Sequence, residues 1–169
     1  MSQKDNNKAL LVLDLQEICV GKKHAFFFKY DKKIVAKANN IIRSNQNVIY
    51  IRTLLKDSFI NKIALALFFK KTAITDLADG LIVKGDAIFD KYEGNAFTNP
   101  KLIDYLKTNG INNLEIIGID GGGCVSKTAL GAIENGFKIV LNTKAIDTML
   151  PKKMDKFFKL LKEKGASFV

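Results

Sequence analysis

Residues 113–125 read NLEIIGIDGGGCV, and this stretch is the strongest indication of the fold class. The segment NLEIIGI is apolar at most positions, which is typical of a strand covered on both faces in a parallel sheet. Three consecutive glycines follow at 121–123, and a helical pattern begins at Cys124. This order of strand, glycine turn and helix predicts an α/β unit.

The same alternation of strands and helices extends along the chain. Short apolar runs predict strands at residues 9–13, 47–53 and 138–141, with weaker candidates at 81–83 and 166–169. Strands of this kind, separated by helices, predict a parallel α/β sheet with right-handed crossovers. Ligands of such sheets bind beyond the carboxyl ends of the strands, so the residues found there are the candidates for chemistry.

Helices are predicted where apolar residues recur at spacings of three and four. The predicted helices cover residues 34–42, 99–110, 124–136 and 151–165, with a weaker pattern at 58–71. Asn99-Pro100 and Pro151 are start signals, and a glycine follows three of the four helices. The stretch 71–94 has no regular pattern.

Length and charge limit the possible classes of protein. A chain of 169 residues is expected to form one domain, residues 1–169. Lys and Arg number 27 against 17 Asp and Glu, a net charge of +10, but only Arg43 and Arg52 are arginines. Because base recognition in nucleic acids relies on the arginine fork, the excess favours a solvated lysine surface and no nucleic-acid partner.

The two cysteines, Cys19 and Cys124, form neither a disulfide framework nor a CxxC motif. No apolar run reaches the length of a membrane span, and residues 1–8 lack the apolar centre of a signal peptide. We therefore expect a cytoplasmic protein without a membrane partner.

Two strand ends carry candidate catalytic residues. Asp14 directly follows the first strand, where it is either functional or a helix cap. Cys124 follows the glycine turn at the start of a helix, a position expected to lower the pKa of a thiol. The alternative for Cys124 is an inert buried cysteine. The turn lacks the Gly-Lys-Ser/Thr of a phosphate-binding P-loop, which disfavours nucleotide binding.

Three motifs together resemble the isochorismatase-like cysteine hydrolases, a family that includes nicotinamidases and N-carbamoylsarcosine amidohydrolase. The first is Asp14-Leu15-Gln16 at the end of a strand. The second is Lys91 ahead of the turn Asn95-Ala96-Phe97. The third is Cys124-Val125-Ser126-Lys127-Thr128-Ala129, with Gly136 beyond it. The resemblance runs from residue 9 to the end of the chain.

The resemblance implies a three-layer, Rossmann-like fold with a six-stranded parallel sheet and helices on both faces. It implies a catalytic triad of Asp14 as general base, Lys91 as the cation and Cys124 as the nucleophile. It also implies a cis peptide bond between Ile119 and Asp120, with the backbone N–H groups of Asp120 and Cys124 forming an oxyanion hole. Relatives are commonly dimers or tetramers, which implies a homodimer or homotetramer here.

Two features depart from the family pattern. Nicotinamidases hold a metal through an Asp-x-His after the second strand and a further histidine, whereas His24 is the only histidine of this chain. We therefore expect no metal and no cofactor. The second departure is Lys144-Ala145, which stands where relatives commonly have Asp-Ala. Its consequence for substrate choice does not follow from the sequence.

These observations predict a hydrolase that cleaves a small amide, urea or carbamoyl C–N bond through a thioester. The alternative is a non-enzymatic relative that acts as a binding module or as a thiol redox protein. Residues 54–94 are expected to wall the pocket, although no substrate-binding residue is identified. The positive charge favours a carboxylate-bearing substrate. Cys19 is interpreted as structural, and Phe26–Phe28 as core or subunit contact.

Overall fold

The computed structural model describes residues 7–22, 24–54 and 75–169. Within these residues the strands form one six-stranded sheet in which every pair is parallel. The strands are β1 (Lys8–Leu13), β2 (Val48–Thr53), β3 (Ile88–Lys91), β4 (Asn113–Ile119), β5 (Lys138–Asp147) and β6 (Ser167–Phe168).

The described helices occupy the connections between the strands. They are α1 (Glu17–Val20), α2 (Ile34–Ser44), α3 (Pro100–Thr108), α4 (Cys124–Glu134) and α5 (Pro151–Glu163), with a short 3₁₀ turn at Ala96–Thr98. The Asn99 side chain caps α3 by accepting a hydrogen bond from the N–H of Lys101, and Pro100 occupies its first turn. None of the helices in these ranges is long and apolar enough to cross a membrane.

The strands lie in the order β3-β2-β1-β4-β5-β6. The chain thus builds outward from β1 to one edge and then returns to the other side of β1 with β4. Neighbouring connections diverge at this reversal and leave a crevice at the carboxyl ends of β1 and β4. The loops that leave β1 and β4 carry Asp14 and Cys124, so the topology places both residues at the crevice.

The core has two layers, one on each face of the sheet. Leu11 and Leu13 of β1 face α3, α4 and α5, while Leu10 and Val12 face α2. Alternate residues of one strand are therefore buried on both sides, which explains why the strands are apolar at nearly every position. The predicted α/β fold with helices on both faces is confirmed.

The predicted bounds of two strands differ from those in the structure. The third strand is β3 (Ile88–Lys91), and residues 81–83 are not a strand. The backbone of Ile82 instead bonds side chains, since its N–H donates to Asn39 Oδ1 and its carbonyl accepts from Tyr50 Oη. Strand β5 also extends well beyond residue 141. The weaker helical prediction at 58–71 lies outside the described residues.

Gly118 allows β4 to run close beside β1. Its φ of +129° is unfavourable for side-chain-bearing residues, and a Cβ there would lie 2.1 Å from the carbonyl oxygen of Leu13. Since this oxygen belongs to the central strand, it cannot move without shifting Asp14. Gly118 is therefore required by the close approach of the two strands.

We predict that Gly118→Ala lowers the free energy of unfolding by about 3 kcal/mol or more, because strain and a backbone clash combine. The matched control is Gly136→Ala, where φ is +86° but no atom lies within 4 Å of the added Cβ. This control should cost only about 1–2 kcal/mol. Urea denaturation of both variants checks the prediction, and equal losses would contradict it.

Candidate active site

Four adjacent strands each bring one side chain to the same edge of the sheet. Asp14 follows β1, Thr53 ends β2, Lys91 ends β3, and Cys124 begins α4 just after β4. Because the strands are parallel, their carboxyl ends meet at one edge, and the strand order sets which side chains are neighbours. The structure therefore brings the predicted residues Asp14, Lys91 and Cys124 together and adds Thr53.

Lys91 is the centre of this cluster, and only 1% of it is exposed. Its Nζ lies 2.9 Å from Asp14 Oδ2 and donates to Cys124 Sγ at 3.2 Å. A third hydrogen bond goes to Thr53 Oγ1. An ammonium group has three N–H donors, so every donor of Lys91 has an acceptor. This arrangement meets the requirement that a buried charge be paired and hydrogen-bonded.

Asp14 is also buried, at 4% exposure. One carboxylate oxygen, Oδ2, faces Lys91, and the other, Oδ1, accepts a hydrogen bond from Thr53 Oγ1 at 2.8 Å. Its φ of +58° makes it the only non-glycine residue with positive φ in the described ranges. Strained backbone of this kind persists where the surroundings enforce it, and it is often found at functional sites.

Gln16 holds the end of β2 in place beside Asp14. Its Oε1 accepts from the N–H of Thr53 at 2.7 Å, and its Nε2 donates to the Thr53 carbonyl at 3.1 Å. The glutamine of the Asp14-Leu15-Gln16 motif therefore fixes the backbone of Thr53 from both sides. In the sequence Gln16 stands out only as part of a motif. The structure shows that its side chain holds the Thr53 backbone.

The other two motifs lock the lysine strand onto the cysteine helix. Thr128 Oγ1 accepts from the N–H of Ala96 at 3.0 Å, which ties the turn after β3 to α4. At the start of the helix, Ser126 Oγ donates to the carbonyl of Gly121 at 2.6 Å and anchors the glycine turn. These contacts fix the distance between Lys91 and Cys124 although the two residues lie on different elements.

The glycine turn presents two backbone donors. The N–H groups of Gly121, Gly122 and Gly123 donate within the described chain, to Asp147 O, Thr148 Oγ1 and Asp120 O. Those of Asp120 and Cys124 donate to no described residue. They are therefore available for a ligand oxygen, and the oxyanion-hole assignment stays a prediction.

The expected cis bond between Ile119 and Asp120 is absent, because none of the described peptide bonds is cis. The trans form is the ordinary one for a bond that does not precede proline.

The expected low pKa of Cys124 is also wrong. Burial raises the pKa of the Cys124 thiol from 9.0 to about 11, the charge of Asp14 adds to the shift, and Lys91 opposes it. For Lys91, burial works against the charged form. The charge of Asp14 and the hydrogen bonds that Lys91 donates to Asp14 and Cys124 outweigh burial and raise the pKa of Lys91. The resting cluster is thus a neutral thiol beside an ammonium ion.

A cavity of about 220 Å³, here called the Cys124 cavity, opens onto the thiol. Its polar lining includes Asp14 and Asp120, and its apolar lining includes Cys19, Phe28 and Tyr30. Cys19 packs against the core, as its structural interpretation predicts, and it also lines the candidate site. Phe28 is not part of the core, and Phe26 is 75% exposed. Only the folded structure shows that these residues line the cavity, since Cys19 lies in the short helix α1 and Phe28 and Tyr30 lie in the loop after it.

The residues present do not fit a zinc site of the nicotinamidase kind. The chain has one histidine, and Thr53 at the end of β2 uses its hydroxyl between Asp14 and Lys91. Within the described ranges, no group of three or more His, Cys, Asp or Glu residues could hold a metal ion. Lys144 is exposed on β5 and does not line the Cys124 cavity.

The isochorismatase domain matches residues 8–169. The fold and the cluster at its edge define a parallel α/β protein in which a buried carboxylate and ammonium contact a half-buried thiol. The chain belongs to the isochorismatase-like hydrolase family.

Solved structures of low sequence identity share the fold. A pyrazinamidase of Pyrococcus horikoshii in complex with zinc is 21% identical, with a TM-score of 0.79 over 96% of this chain and 98% of that one. A nicotinamidase/pyrazinamidase of Acinetobacter baumannii is 18% identical, with a TM-score of 0.79 over 99% and 97%. The Bacillus subtilis nicotinamidase is 21% identical, with a TM-score of 0.74 over 96% and 99%. No curated protein sequence matches the chain.

We predict that Cys124 reacts slowly with iodoacetamide. A pKa of about 11 in place of 9.0 lowers the thiolate fraction at pH 8 by about 100-fold, so alkylation should slow by a similar factor relative to a free thiol. Raising the pH toward 11 should speed the reaction. Mass spectrometry of each cysteine measures the rates, with urea-unfolded protein as the control. Labelling of folded Cys124 at the free-thiol rate at pH 8 would contradict the raised pKa.

Proposed function

We propose that this protein is a cysteine-dependent hydrolase of small amide, urea or carbamoyl C–N bonds that works without a metal. The observation that carries the proposal is the contact of one buried ammonium with both a thiol and a carboxylate. Membership of the isochorismatase family supports a hydrolase. The choice of bond rests on the thiol, since a cysteine nucleophile suits attack on an acyl carbon.

The first half of the reaction forms a thioester. Asp14 takes the proton of the Cys124 thiol as sulfur attacks the carbonyl carbon, because a thiol with a raised pKa needs a base at the moment of attack. Lys91 stabilises the negative charge that develops on sulfur. The N–H groups of Asp120 and Cys124 hold the oxyanion of the tetrahedral intermediate. The C–N bond then breaks, and Asp14 returns the proton to the departing amine.

The second half regenerates the thiol. Asp14 accepts a proton from water as the water oxygen attacks the thioester carbonyl, and the same two N–H groups hold the new oxyanion. The C–S bond breaks, the acid leaves, and Asp14 returns the proton to sulfur. Water is the only co-substrate, so the cycle requires no cofactor.

The redox alternative fits the site less well. Oxidation-sensitive cysteines have a low pKa and are accessible, because the thiolate is the species that reacts. Burial raises the pKa of Cys124 to about 11, and the pKa of Cys19 rises to about 12 for the same reason. Both thiols are therefore poorly suited to sensing an oxidant.

The Cys124 cavity favours a small uncharged acyl group. Its volume of about 220 Å³ is below the roughly 300–1,000 Å³ of pockets for drug-sized ligands. The described lining has the carboxylates of Asp14 and Asp120. Lys91 neutralises Asp14 at 2.9 Å, so the unbalanced negative charge is that of Asp120. Nearby Lys91 has all its donors engaged. The net charge of +10 thus gives no reason to expect a carboxylate-bearing substrate at this site.

We predict that ammonia release from a panel of primary amides, ureas and carbamoyl compounds depends on the triad. Cys124→Ser, Asp14→Asn and Lys91→Met should each lower kcat/KM by about 10³-fold or more, because the three groups act as a unit. Lys138→Met, an exposed lysine at the opposite edge of the sheet, is the matched control and should retain wild-type activity.

Dialysis against a chelator should leave the wild-type activity unchanged. Loss of activity on chelation with recovery on adding zinc would refute the metal-free mechanism. Full activity of Cys124→Ser would refute the thioester. Thermal unfolding of each variant separates a catalytic defect from a loss of fold.

We also predict that the enzyme discriminates against negative charge. Butyramide and succinamate have similar shapes, but succinamate carries a carboxylate that would meet the acidic lining of the Cys124 cavity. The kcat/KM for butyramide should exceed that for succinamate by about 10-fold or more, as expected for like charges at short range. Asp120→Asn should narrow the ratio of the two kcat/KM values, since it removes the carboxylate of the lining that Lys91 does not neutralise. A preference for succinamate would contradict the assignment.

A further inference from the structure

The contacts of the Thr53 hydroxyl connect the two charged residues of the site. It accepts a hydrogen bond from Lys91 Nζ and donates to Asp14 Oδ1 at 2.8 Å. These directions are fixed because an ammonium group can only donate, which leaves the single hydroxyl proton for the carboxylate. Thr53 therefore acts as a one-way bridge from Lys91 to Asp14.

The sheet itself dictates this location. Strand β2 lies between β1 and β3, and Thr53 pairs with Lys91 in the β2–β3 register. Any residue that ends β2 must consequently stand between Asp14 and Lys91. The Gln16 side chain restrains this strand end further, since its Nε2 donates to the Thr53 carbonyl and its Oε1 accepts from the Thr53 N–H.

We propose that Thr53 is a positioning residue for the reaction, and that its hydroxyl orients the Lys91 ammonium so that one N–H points at Cys124 sulfur. The proposal rests on the hydrolase mechanism proposed above. An ammonium group rotates freely about its Cε–Nζ bond unless acceptors fix it. This rotation is a single torsion, which the hydrogen bond to Asp14 restricts and the second one, to Thr53, narrows further. The third N–H is thereby held toward the Cys124 sulfur.

The bridge also restricts the carboxylate. Thr53 occupies one position on Oδ1 of Asp14, and Lys91 occupies one on Oδ2. The proton that leaves Cys124 must then bind to one of the remaining lone pairs of the carboxylate. Any side chain at position 53 that carries a hydroxyl can orient the ammonium and occupy Oδ1 of Asp14. A methyl group in place of the hydroxyl can do neither.

The test compares substitutions that keep or remove the hydroxyl. Thr53→Val is nearly isosteric and removes it, Thr53→Ser keeps it, and Thr53→Ala removes it without a branched side chain in case valine disturbs the fold. For Thr53→Val and Thr53→Ala, we expect kcat on the best amide of the panel to fall by about 10–100-fold with KM within about two-fold. Thr53→Ser should lie within about three-fold of wild type in kcat.

A second readout does not depend on catalysis. In protein with ¹⁵N-labelled lysine, the buried ammonium of Lys91 should give a ¹H–¹⁵N signal protected from solvent exchange, assigned by its loss in Lys91→Met. Thr53→Ser should keep that signal, and Thr53→Val and Thr53→Ala should lose it while the backbone amide spectrum stays folded. A protected signal in the folded Thr53→Val or Thr53→Ala variant would overturn the proposal.

The two readouts separate the possible failures. If wild-type protein cleaves nothing on the panel, the proposed function fails, and the ammonium signal still decides whether Thr53 orients Lys91. If the wild type is active and the valine and alanine variants match it in kcat, the positioning role is overturned whatever the signal shows. If kcat falls equally in Thr53→Ser, Thr53→Val and Thr53→Ala, the positioning role is also overturned, because loss of the hydroxyl would then not explain the lower kcat.

Discussion

The buried ion pair between Lys91 and Asp14 is the constraint on which the site depends. Removing both charges from water costs several kcal/mol per ion, and the pair forms only if nearly every donor and acceptor is matched. The matching groups come from four strand ends: the carboxylate after β1, the hydroxyl at the end of β2, the ammonium at the end of β3 and the thiol after β4. The charges are thus tolerable only when the sheet is assembled in register. This requirement couples the chemistry of the site to the strand order.

Burial also sets the protonation state of the nucleophile. A cysteine at a helix start is expected to be acidic, and the glycine turn before Cys124 strengthens that expectation. Desolvation and the charge of Asp14 outweigh Lys91 and raise the pKa of the thiol to about 11. In the proposed mechanism, sulfur is therefore activated by a base that acts during attack, the role proposed for Asp14. A protonated resting thiol also protects the site from adventitious alkylation and oxidation.

The net positive charge of the chain is not reflected in the lining of the Cys124 cavity. The lysine excess gives a net charge of +10, yet the described cavity lining carries two carboxylates and apolar side chains. Lysines on the solvated surface are screened by salt within about 10 Å and contribute little inside a cavity. The identity of a substrate is governed by the groups that line the pocket. Here those groups include Cys19, Phe28 and Tyr30 from the loop around α1, which lies far from Cys124 in the sequence.

Local periodicity predicted the α/β class and most strand positions, and it placed Asp14 and Cys124 just after strands. Lys91 and the catalytic roles of all three residues came from the resemblance of their motifs to the isochorismatase-like hydrolases, because one lysine among many carries no signal of its own. Features that depend on residues distant in the sequence became visible only in the folded structure. The hydrogen bonds of Ile82 with Asn39 and Tyr50 prevented a strand at 81–83, and burial reversed the expected pKa shift of Cys124. Thr53 gave no signal because a threonine at a strand end is ordinary. Its position between Asp14 and Lys91 arises only when β2 pairs with β1 and β3, and strand order is a property of the folded sheet that no local pattern encodes.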